Sequence, residues 1–431
     1  MNKFQTPSMK AVLLAAALFL IGLLSSPTIY AEKGENPHIE GHVIVKLEPL
    51  ATIAAINNTY STTTLSQLTP DIYLLQMPLN ADDSELIDVM ETDLRLSFAE
   101  PNSIGEAPEH SGQDSWAWGG QDSSPLNEQY ALDALFLPQA HAISQGAGVI
   151  VAVLDTGVQL DHPALAGSLT AVNADFIDND GNPDDSANGL DDDGDGLIDE
   201  ATGHGTHVAG IIHLTAPQAQ IMPVRVLNSD GQGNIYALSE AILFAADNGA
   251  TVINLSLGFP ERSKALRDVI KSVSRQGVVV IAAAGNSNTD DEQYPAATKC
   301  VLGVTAVTAT GLKSEFANFG DWITYAAPGE TVYSTFTDSS YAWWSGTSMA
   351  TPFVAGQAAL LQSINSTLNP RNIALLIAHT AQPLDTLNPA LDKDDLGVGQ
   401  PNALASLERL LTGDIPTSNH GIMSSNCIEE N

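Results

Sequence analysis

The chain has 431 residues, which is enough for a large hydrophobic core and for more than one domain. It carries 16 Lys and Arg residues against 51 Asp and Glu residues, so its formal net charge is −35. Such a surface would repel a phosphate backbone, which excludes nucleic acid as an expected partner, whereas it suits a salty medium or abundant divalent cations.

The first 31 residues predict a signal peptide. Lys3 and Lys10 form its positive region, residues 11–24 form an apolar run, and a cleavage point follows Ala31. This run is shorter than the ~20 residues that a membrane span needs, and no later stretch is long and apolar enough. We therefore expect secretion to the extracellular space or the periplasm, with no membrane contact after cleavage. An uncleaved signal anchor is the alternative.

Residues 32–104 predict a small α/β domain with the element order β-α-β-α-β. Strands are expected at residues 42–47, 71–78 and 96–102, and helices at residues 50–60 and 82–93. The second helix opens with acidic residues in a capping pattern. Residues 105–126 are rich in Gly, Ser, Pro and acidic residues, which indicates a linker.

Residues 127–412 predict a doubly wound α/β domain, with a mostly parallel sheet and helices on both faces. Five apolar runs lie at residues 148–154, 220–227, 250–257, 277–284 and 300–308. They lack the alternation of a half-buried strand, so they predict strands that are buried on both faces. Helical stretches at residues 235–249 and 263–277, each ending at a glycine, alternate with them.

Residues 413–431 are expected to form a C-terminal tail. The sequence has two cysteines, Cys300 and Cys427. In an oxidising compartment they would form one disulfide bond that ties the tail to the domain, and two unrelated thiols are the alternative.

Polar residues follow three of the predicted strands, at the edge where such sheets bind ligands. Asp155 ends one strand, Asn286 follows another, and Ser-Leu-Gly ends a third at residues 256–258. Ser348 stands at the start of a helix rich in small residues, beside backbone N–H groups without a partner in the helix. Each of these residues alone also fits an ordinary turn or helix cap.

Four motifs in the order VAVLDTGV, GHGTHVAG, AAAGN and SGTSMATP resemble those of the subtilisin-like serine proteases, or subtilases. The resemblance extends from about residue 130 to residue 411. It implies a catalytic triad of Asp155, His204 and Ser348, with an oxyanion bound by the Asn286 side chain and the Ser348 backbone N–H. His207 then has a structural role, since the pair of histidines lacks the Glu of an H-E-x-x-H zinc site.

The resemblance also implies a substrate-binding cleft and a propeptide. The substrate backbone would pair with Gly231, Gly233, Ser256, Leu257 and Gly258. Gln293 would line the S1 pocket. Residues 32–104 would be a propeptide that assists folding and inhibits the enzyme until the linker is cut.

An acidic segment before His204, residues 175–200, predicts a calcium site. The side chains of Asp191, Asp193, Asp195 and Asp199 and the carbonyl of Leu197 fall at the first, third, fifth, ninth and seventh positions of an EF-hand-like loop. The match is partial, because Thr202 occupies the twelfth position instead of Glu. We expect at least one structural Ca²⁺, and a solvated acidic loop is the alternative.

These observations together predict a secreted, monomeric serine endopeptidase. It would cleave protein or peptide substrates, and it would be made as an autoprocessed zymogen inhibited by its own propeptide. A catalytically silent, calcium-stabilised binding protein on the same fold is the alternative from another class. A hydrolase that keeps the triad but acts on esters is a third interpretation.

Overall fold

A computed structural model describes residues 29–30, 37–109 and 117–418. The predicted signal peptide and its cleavage point, most of the predicted tail and Cys427 lie outside the described residues. Cys300 is disulfide-bonded. Among the described residues, no helix combines the length and the apolar character needed to cross a membrane.

The N-terminal unit is an antiparallel sheet covered by helices on one face. Its strands are β1 Ile29–Tyr30, β2 His38–Leu47, β3 Thr63–Gln67, β4 Ile72–Gln76 and β5 Leu96–Glu106. Its helices in the described residues are α1 Ile53–Tyr60 and α2 Asp83–Glu91. Strand β2 lies between β5 and β4, and β3 pairs with the outer edge of β4. Strand β5 continues to Glu106, two residues into the segment predicted as a linker.

The alternation of β2 separates the two faces of this sheet. Val43 and Val45 pack with the buried residues of α1 and α2 in a core of their own. Ile44 points the other way and packs into the large hydrophobic core of the second domain. One face of the N-terminal sheet is therefore buried against that domain.

The second domain contains a parallel sheet, whose strands lie between residues 150 and 328. Its strands are β7 Ile150–Asp155, β8 Ala174–Asp175, β9 Gln220–Arg225, β11 Val252–Leu255, β12 Val279–Ala283, β13 Val301–Val307 and β14 Tyr325–Pro328. Within the described chain their order is β14-β13-β12-β11-β7-β9-β8, and every pair is parallel. All five predicted apolar runs form strands of this sheet, which confirms the doubly wound α/β fold.

Helices and short strands complete the domain. The helices are α3 Tyr130–Ala134, α4 Leu137–Ala140, α5 His204–Thr215, α6 Ile235–Asp247, α7 Lys264–Arg275, α8 Thr347–Ile364, α9 Pro370–Ala378 and α10 Ala403–Leu411. Strands β6 Trp118–Gly120, β15 Val332–Phe336 and β16 Ser340–Trp344 form a small antiparallel sheet. Strand β10, Gln232–Asn234, pairs with β5 and so joins the two domains. Helix α5 packs on α8, and α6 packs on α7.

Candidate active site

Asp155, His204 and Ser348 meet at the edge of the large sheet where its strands end. Asp155 is the last residue of β7, His204 is the first residue of α5, and Ser348 is the second residue of α8. In a parallel sheet the strand ends and the following helix starts lie at the same edge, which explains why distant residues meet. All three side chains are buried, and His204 Nδ1 lies 2.6 Å from Asp155 Oδ1.

The carboxylate of Glu109 lies between His204 and Ser348. Ser348 Oγ donates to Glu109 Oε2 at 2.7 Å, and His204 Nε2 lies 2.9 Å from the same oxygen. Glu109 follows β5, so it arrives from the N-terminal unit rather than from the domain that carries the other residues. Glu109 lies in the predicted linker, and no local sequence pattern marks it as a functional residue.

The other oxygen of Glu109 meets the two expected oxyanion donors. Asn286 Nδ2 donates to Glu109 Oε1 at 3.1 Å, and the backbone N of Ser348 lies 3.4 Å from it. The amide of Asn286 is oriented by Thr347, whose backbone N and Oγ1 both donate to Asn286 Oδ1 at 3.0 Å. The NH₂ group is therefore fixed toward the site, where it can bind a negatively charged oxygen.

The charges of these groups are coupled. Burial alone would lower the pKa of the His204 imidazole, but the carboxylates of Asp155 and Glu109 outweigh it and raise that pKa well above its usual value. Burial alone would raise the pKa of Glu109, but His204 and the other donors to its carboxylate lower it. His204 is thus an imidazolium between two carboxylates, and it cannot accept a proton from Ser348 in this state.

His207, predicted to be structural, hydrogen-bonds to the small sheet rather than to these groups. Its Nε2 donates to the carbonyl of Ala342 in β16 at 3.0 Å. Burial lowers the pKa of His207 to about 3, so its ring is neutral near pH 7. The indole of Trp344 packs edge-to-face on the His204 ring at 5.4 Å and on the His207 ring at 5.8 Å. Both rings are thereby held against the small sheet.

The predicted substrate-binding segments flank the end of β5. Gly258 exchanges two backbone hydrogen bonds with Glu106, at 2.9 and 3.0 Å, and Gly233 pairs with Gly105. Gly231 accepts a hydrogen bond from Ala107 N at 3.0 Å. Among the other predicted residues, Leu257 is buried, and Ser256 Oγ donates to the carbonyl of Ser348 at 3.1 Å. An extended chain thus lies between two strands and leads to Ser348.

Gln293 lies beside this chain, in a cavity of about 190 Å³ that Pro108 and Asn286 also line. Its Oε1 approaches two glycines so closely that a Cβ added at Gly258 or at Gly285 would lie 2.6 or 2.7 Å from it. The amide of Gln293 therefore fills the space between those two glycines.

A larger cavity of about 780 Å³ continues on the far side of Glu109. Its lining includes Asn286, Lys313 and three indoles, those of Trp118, Trp343 and Trp344.

The acidic segment brings three of the predicted metal ligands together. Oxygens from Asp191, Asp193 and Asp195 lie within 4.8 Å of one another. The carboxylate of Asp199 instead accepts from the backbone N of residues 188 and 189, at 2.7 and 2.8 Å, and the Leu197 side chain is exposed. Carboxylate oxygens suit Ca²⁺, so the cluster of three fits such an ion.

Comparison with known proteins agrees with this geometry. Residues 146–404 match the model of the subtilase family, Peptidase_S8. Thermitase from Thermoactinomyces vulgaris is 40% identical over 268 residues, which span 60% of this chain and 90% of that protein. Subtilisin BL from Lederbergia lenta is 37% identical over 271 residues, which span 60% of this chain and 93% of that protein.

Solved structures share the fold. The chain superposes with a TM-score of 0.74 on fervidolysin from Fervidobacterium pennivorans, described as a keratinolytic enzyme related to subtilisin. The identity is 23%, and the match covers 90% of this chain and 63% of that one. Because the family model covers more than half of this chain and the relatives are named proteases, the chain belongs to the subtilase family and is a subtilisin-like serine protease.

Proposed function

We propose that the chain is the zymogen of an exported, monomeric endopeptidase that uses Asp155, His204 and Ser348 as its triad. One observation carries this proposal: a single carboxylate, that of Glu109, contacts the serine hydroxyl, the histidine Nε2 and the Asn286 amide. A group at that point touches a nucleophile, a base and an oxyanion donor at once, as the reacting carbonyl of a peptide must.

The reaction follows from these positions once Glu109 has left. His204 takes the proton of Ser348 Oγ while that oxygen bonds to the substrate carbonyl carbon. The carbonyl oxygen becomes an oxyanion, which accepts hydrogen bonds from Asn286 Nδ2 and the Ser348 backbone N. His204 then gives its proton to the leaving amine, and the acyl-enzyme is hydrolysed by water through the same steps. Asp155 holds the imidazole and offsets its charge.

Substrate recognition is proposed to use the cleft that β5 now fills. The backbone groups of Gly231, Gly233 and Gly258 would pair with an extended substrate by strand addition, with Ser256 and Leu257 supporting the second strand. Because β5 already makes these bonds, it serves as a guide to where a protein or peptide substrate would lie.

The N-terminal unit, residues 32–104, is proposed to be the inhibitory propeptide, and its contacts support this role. Glu100 accepts hydrogen bonds at the N-terminus of α7, and Asn102 Oδ1 accepts from the backbone N of Tyr236 in α6 at 3.0 Å. Lys46 forms an ion pair of 2.7 Å with Asp268 in α7. These contacts hold the unit over the cleft.

Maturation is proposed to cut the linker, residues 105–126, between Glu109 and Trp118. Glu109 lies in the cleft, whereas β6, which begins at Trp118, pairs with β16 of the protease domain and would stay with the mature enzyme. Mass spectrometry of the matured protein would give the new N-terminus, and a mature chain that begins outside residues 110–118 would contradict this boundary.

A structural Ca²⁺ is proposed at Asp191, Asp193 and Asp195, with Leu197 and Asp199 completing the loop. The cluster of three carboxylate oxygens supports it. Buried Asp230 accepts from the backbone N of Asp199 at 2.6 Å, which anchors the loop beside Gly231 in the cleft. The ion would reduce repulsion among the acidic side chains of this segment.

The enzymatic role is tested by labelling and hydrolysis. We expect the matured protein to react with a serine-directed fluorophosphonate and to hydrolyse casein, and Ser348→Ala to do neither. A simple ester measured in parallel distinguishes a peptidase from an esterase. A wild-type protein that is neither labelled nor active would overturn the proposal and favour a binding protein. Casein hydrolysis that persists in Ser348→Ala would overturn the assignment of Ser348 as the nucleophile.

A further inference from the structure

We call residues 32–109 the prosegment, because the proposed maturation cut follows Glu109. It ends in the active site with Pro108 and Glu109, which do not bind as a substrate would. Glu106 bonds to Gly258 and Ala107 bonds to Gly231, so the next backbone N–H should face the carbonyl of Ser256. That residue is Pro108, which has no N–H to donate. The main-chain N–H···O bond expected at the residue beside the catalytic groups therefore cannot form.

A side chain takes over at that point. The Glu109 carboxylate reaches both His204 and Ser348 with one oxygen and Asn286 with the other. It packs against Gly346 so closely that no Cβ would fit there. The carboxylate thus fills the position where the carbonyl of a bound peptide would lie.

We infer that Glu109 is a latch that keeps the unprocessed chain inactive through its side chain. This inference rests on the proposed triad and adds a specific regulator to it. The hydroxyl of Ser348 is engaged as a donor to Glu109, the oxyanion donors are occupied, and His204 is held as an imidazolium. The serine, the histidine and the oxyanion donors are blocked together by one charged group, whose bonds are of the strong, charge-assisted kind.

Labelling of the intact chain tests the latch. Full-length wild type, Glu109→Gln and Glu109→Ala are exposed briefly to a fluorophosphonate, and the intact band is separated from cleaved protein before it is quantified. Because a charge-assisted hydrogen bond contributes ~1.5–3 kcal/mol, we expect both variants to label about 10- to 100-fold faster than wild type. Glu40→Gln, an exposed prosegment glutamate, is the matched control and should label at the wild-type rate.

The outcomes separate the latch from the triad. Equal labelling of wild type and Glu109→Ala would overturn the latch and leave the triad intact. Labelling of Glu109→Gln as slow as wild type would also overturn it, since shape rather than charge would then block the site. If the matured wild type were not labelled, the triad itself would be wrong. Melting curves of each variant in the Ser348→Ala background identify any folding defect.

A second, independent observation concerns Asp185, a buried carboxylate in the acidic segment. Its Oδ1 accepts from Thr156 Oγ1 at 3.1 Å and from Gly203 N at 2.9 Å. Its Oδ2 accepts from the backbone N and the hydroxyl of Thr206, at 3.0 and 2.7 Å. The donors thus come from the residue after Asp155 and from both sides of His204.

Further bonds make this arrangement rigid. Thr156 N donates to Asp155 Oδ1 at 2.8 Å, and Thr156 Oγ1 accepts from Gly205 N at 3.0 Å. Asp185 also lies at the N-terminus of α5, where the helix dipole favours a negative charge. The end of β7 and the start of α5 are therefore joined through one side chain.

The geometry points to Asp185 as a positioning residue that sets the distance between the Asp155 carboxylate and the His204 imidazole. This second inference also rests on the proposed triad. Asp185 touches no reacting atom, so its effect must pass through those two residues. A displacement of about 1 Å in such a pair can cost about 100-fold in rate.

Kinetics of the matured enzyme test this role. We expect Asp185→Asn to lower kcat about 10- to 100-fold with little change in KM, and to shift the lower limb of the pH–kcat/KM profile, which reports the His204 base. Asp184→Asn is the matched control, because its carboxylate accepts from Leu160 N instead. A folded Asp185→Asn enzyme with a lower Tm but unchanged kcat and pH profile would reduce Asp185 to a stabilising role and overturn the inference.

Discussion

Glu100 of β5 caps the helix that begins at Lys264, with its Oε2 2.8 Å from the backbone N of that lysine. Its Oε1 accepts from Ser263 Oγ at 2.6 Å and from Ala265 N at 3.0 Å. The N-terminal N–H groups of α7 have no partners within the helix, so a carboxylate from the N-terminal unit satisfies them. One buried side chain thereby joins the two domains.

We expect Glu100→Gln to release the cleaved prosegment about tenfold faster, because an amide replaces one of the charged acceptor oxygens with a donor. The rate at which casein hydrolysis develops after purification of the full chain measures this release. Glu91→Gln is the control: Glu91 forms an exposed ion pair with Lys264 Nζ, which contributes little. Identical activation of Glu100→Gln and Glu91→Gln would contradict the prediction.

Much of the fold could be predicted because each buried parallel strand is a continuous run of apolar residues, which is visible in the sequence. The five apolar runs became β7, β9, β11, β12 and β13. Strand β3, Thr63–Gln67, was missed because it is a polar edge strand, held by backbone bonds to β4. Strand β6 was missed because it is three residues long and glycine-rich, and only its partner β16 makes it a strand.

The site residues likewise fall into those that local sequence predicts and those that depend on distant parts of the chain. The sequence predicted Asp155, His204, Asn286 and Ser348 as site residues. Each of them lies in a short motif at the end of a strand or the start of a helix, so adjacent residues are enough to identify it. Glu109 lies 95 residues from His204 and 239 from Ser348, so only the folded chain brings it there. The acidic pattern likewise could not separate exposed acids from buried Asp185, since burial depends on which loop covers β7.

Asn286→Leu removes the side-chain donor of the oxyanion hole while keeping its size. We expect kcat of the matured enzyme to fall by about 100- to 1,000-fold with little change in KM, because the lost bond forms mainly in the transition state; this magnitude was established on subtilisin. Steady-state kinetics on a peptide anilide would measure it. A rise in KM with unchanged kcat would show that Asn286 binds the ground state instead.

Gln293→Gly should widen the pocket beside the reacting bond. The Gln293 amide occupies the space between Gly258 and Gly285, and we expect a large substrate side chain to enter there. We expect kcat/KM for a substrate with Phe before the cleaved bond to rise about 10- to 100-fold relative to one with Ala. The ratio within each enzyme serves as the internal control. An unchanged ratio would mean that Gln293 does not determine this preference.

Calcium removal should destabilise the protease domain and loosen the cleft. We expect a chelator to lower the Tm of Ser348→Ala protein, because an ion bound only by the folded state adds about 2.7 kcal/mol at 100 times its Kd. Asp193→Asn should reduce this response, and Asp88→Asn, an exposed acid in α2, should retain it. If chelation leaves the Tm of all three proteins unchanged, the proposal of a structural Ca²⁺ is wrong.

The buried His207 should make the domain sensitive to acid. Burial lowers the pKa of His207 to about 3 in the folded state, whereas an unfolded histidine titrates near 6.5. Below ~6.5 the unfolded chain therefore binds a proton that the folded chain excludes, and stability falls by about 1.4 kcal/mol for each pH unit down to about pH 3. His207→Gln keeps a donor for Ala342 but does not titrate. In urea titrations on the Ser348→Ala background, the free energy of unfolding of wild type minus that of His207→Gln should therefore decrease between pH 7 and pH 4.5, and a constant difference would show that this histidine is already charged in the folded domain.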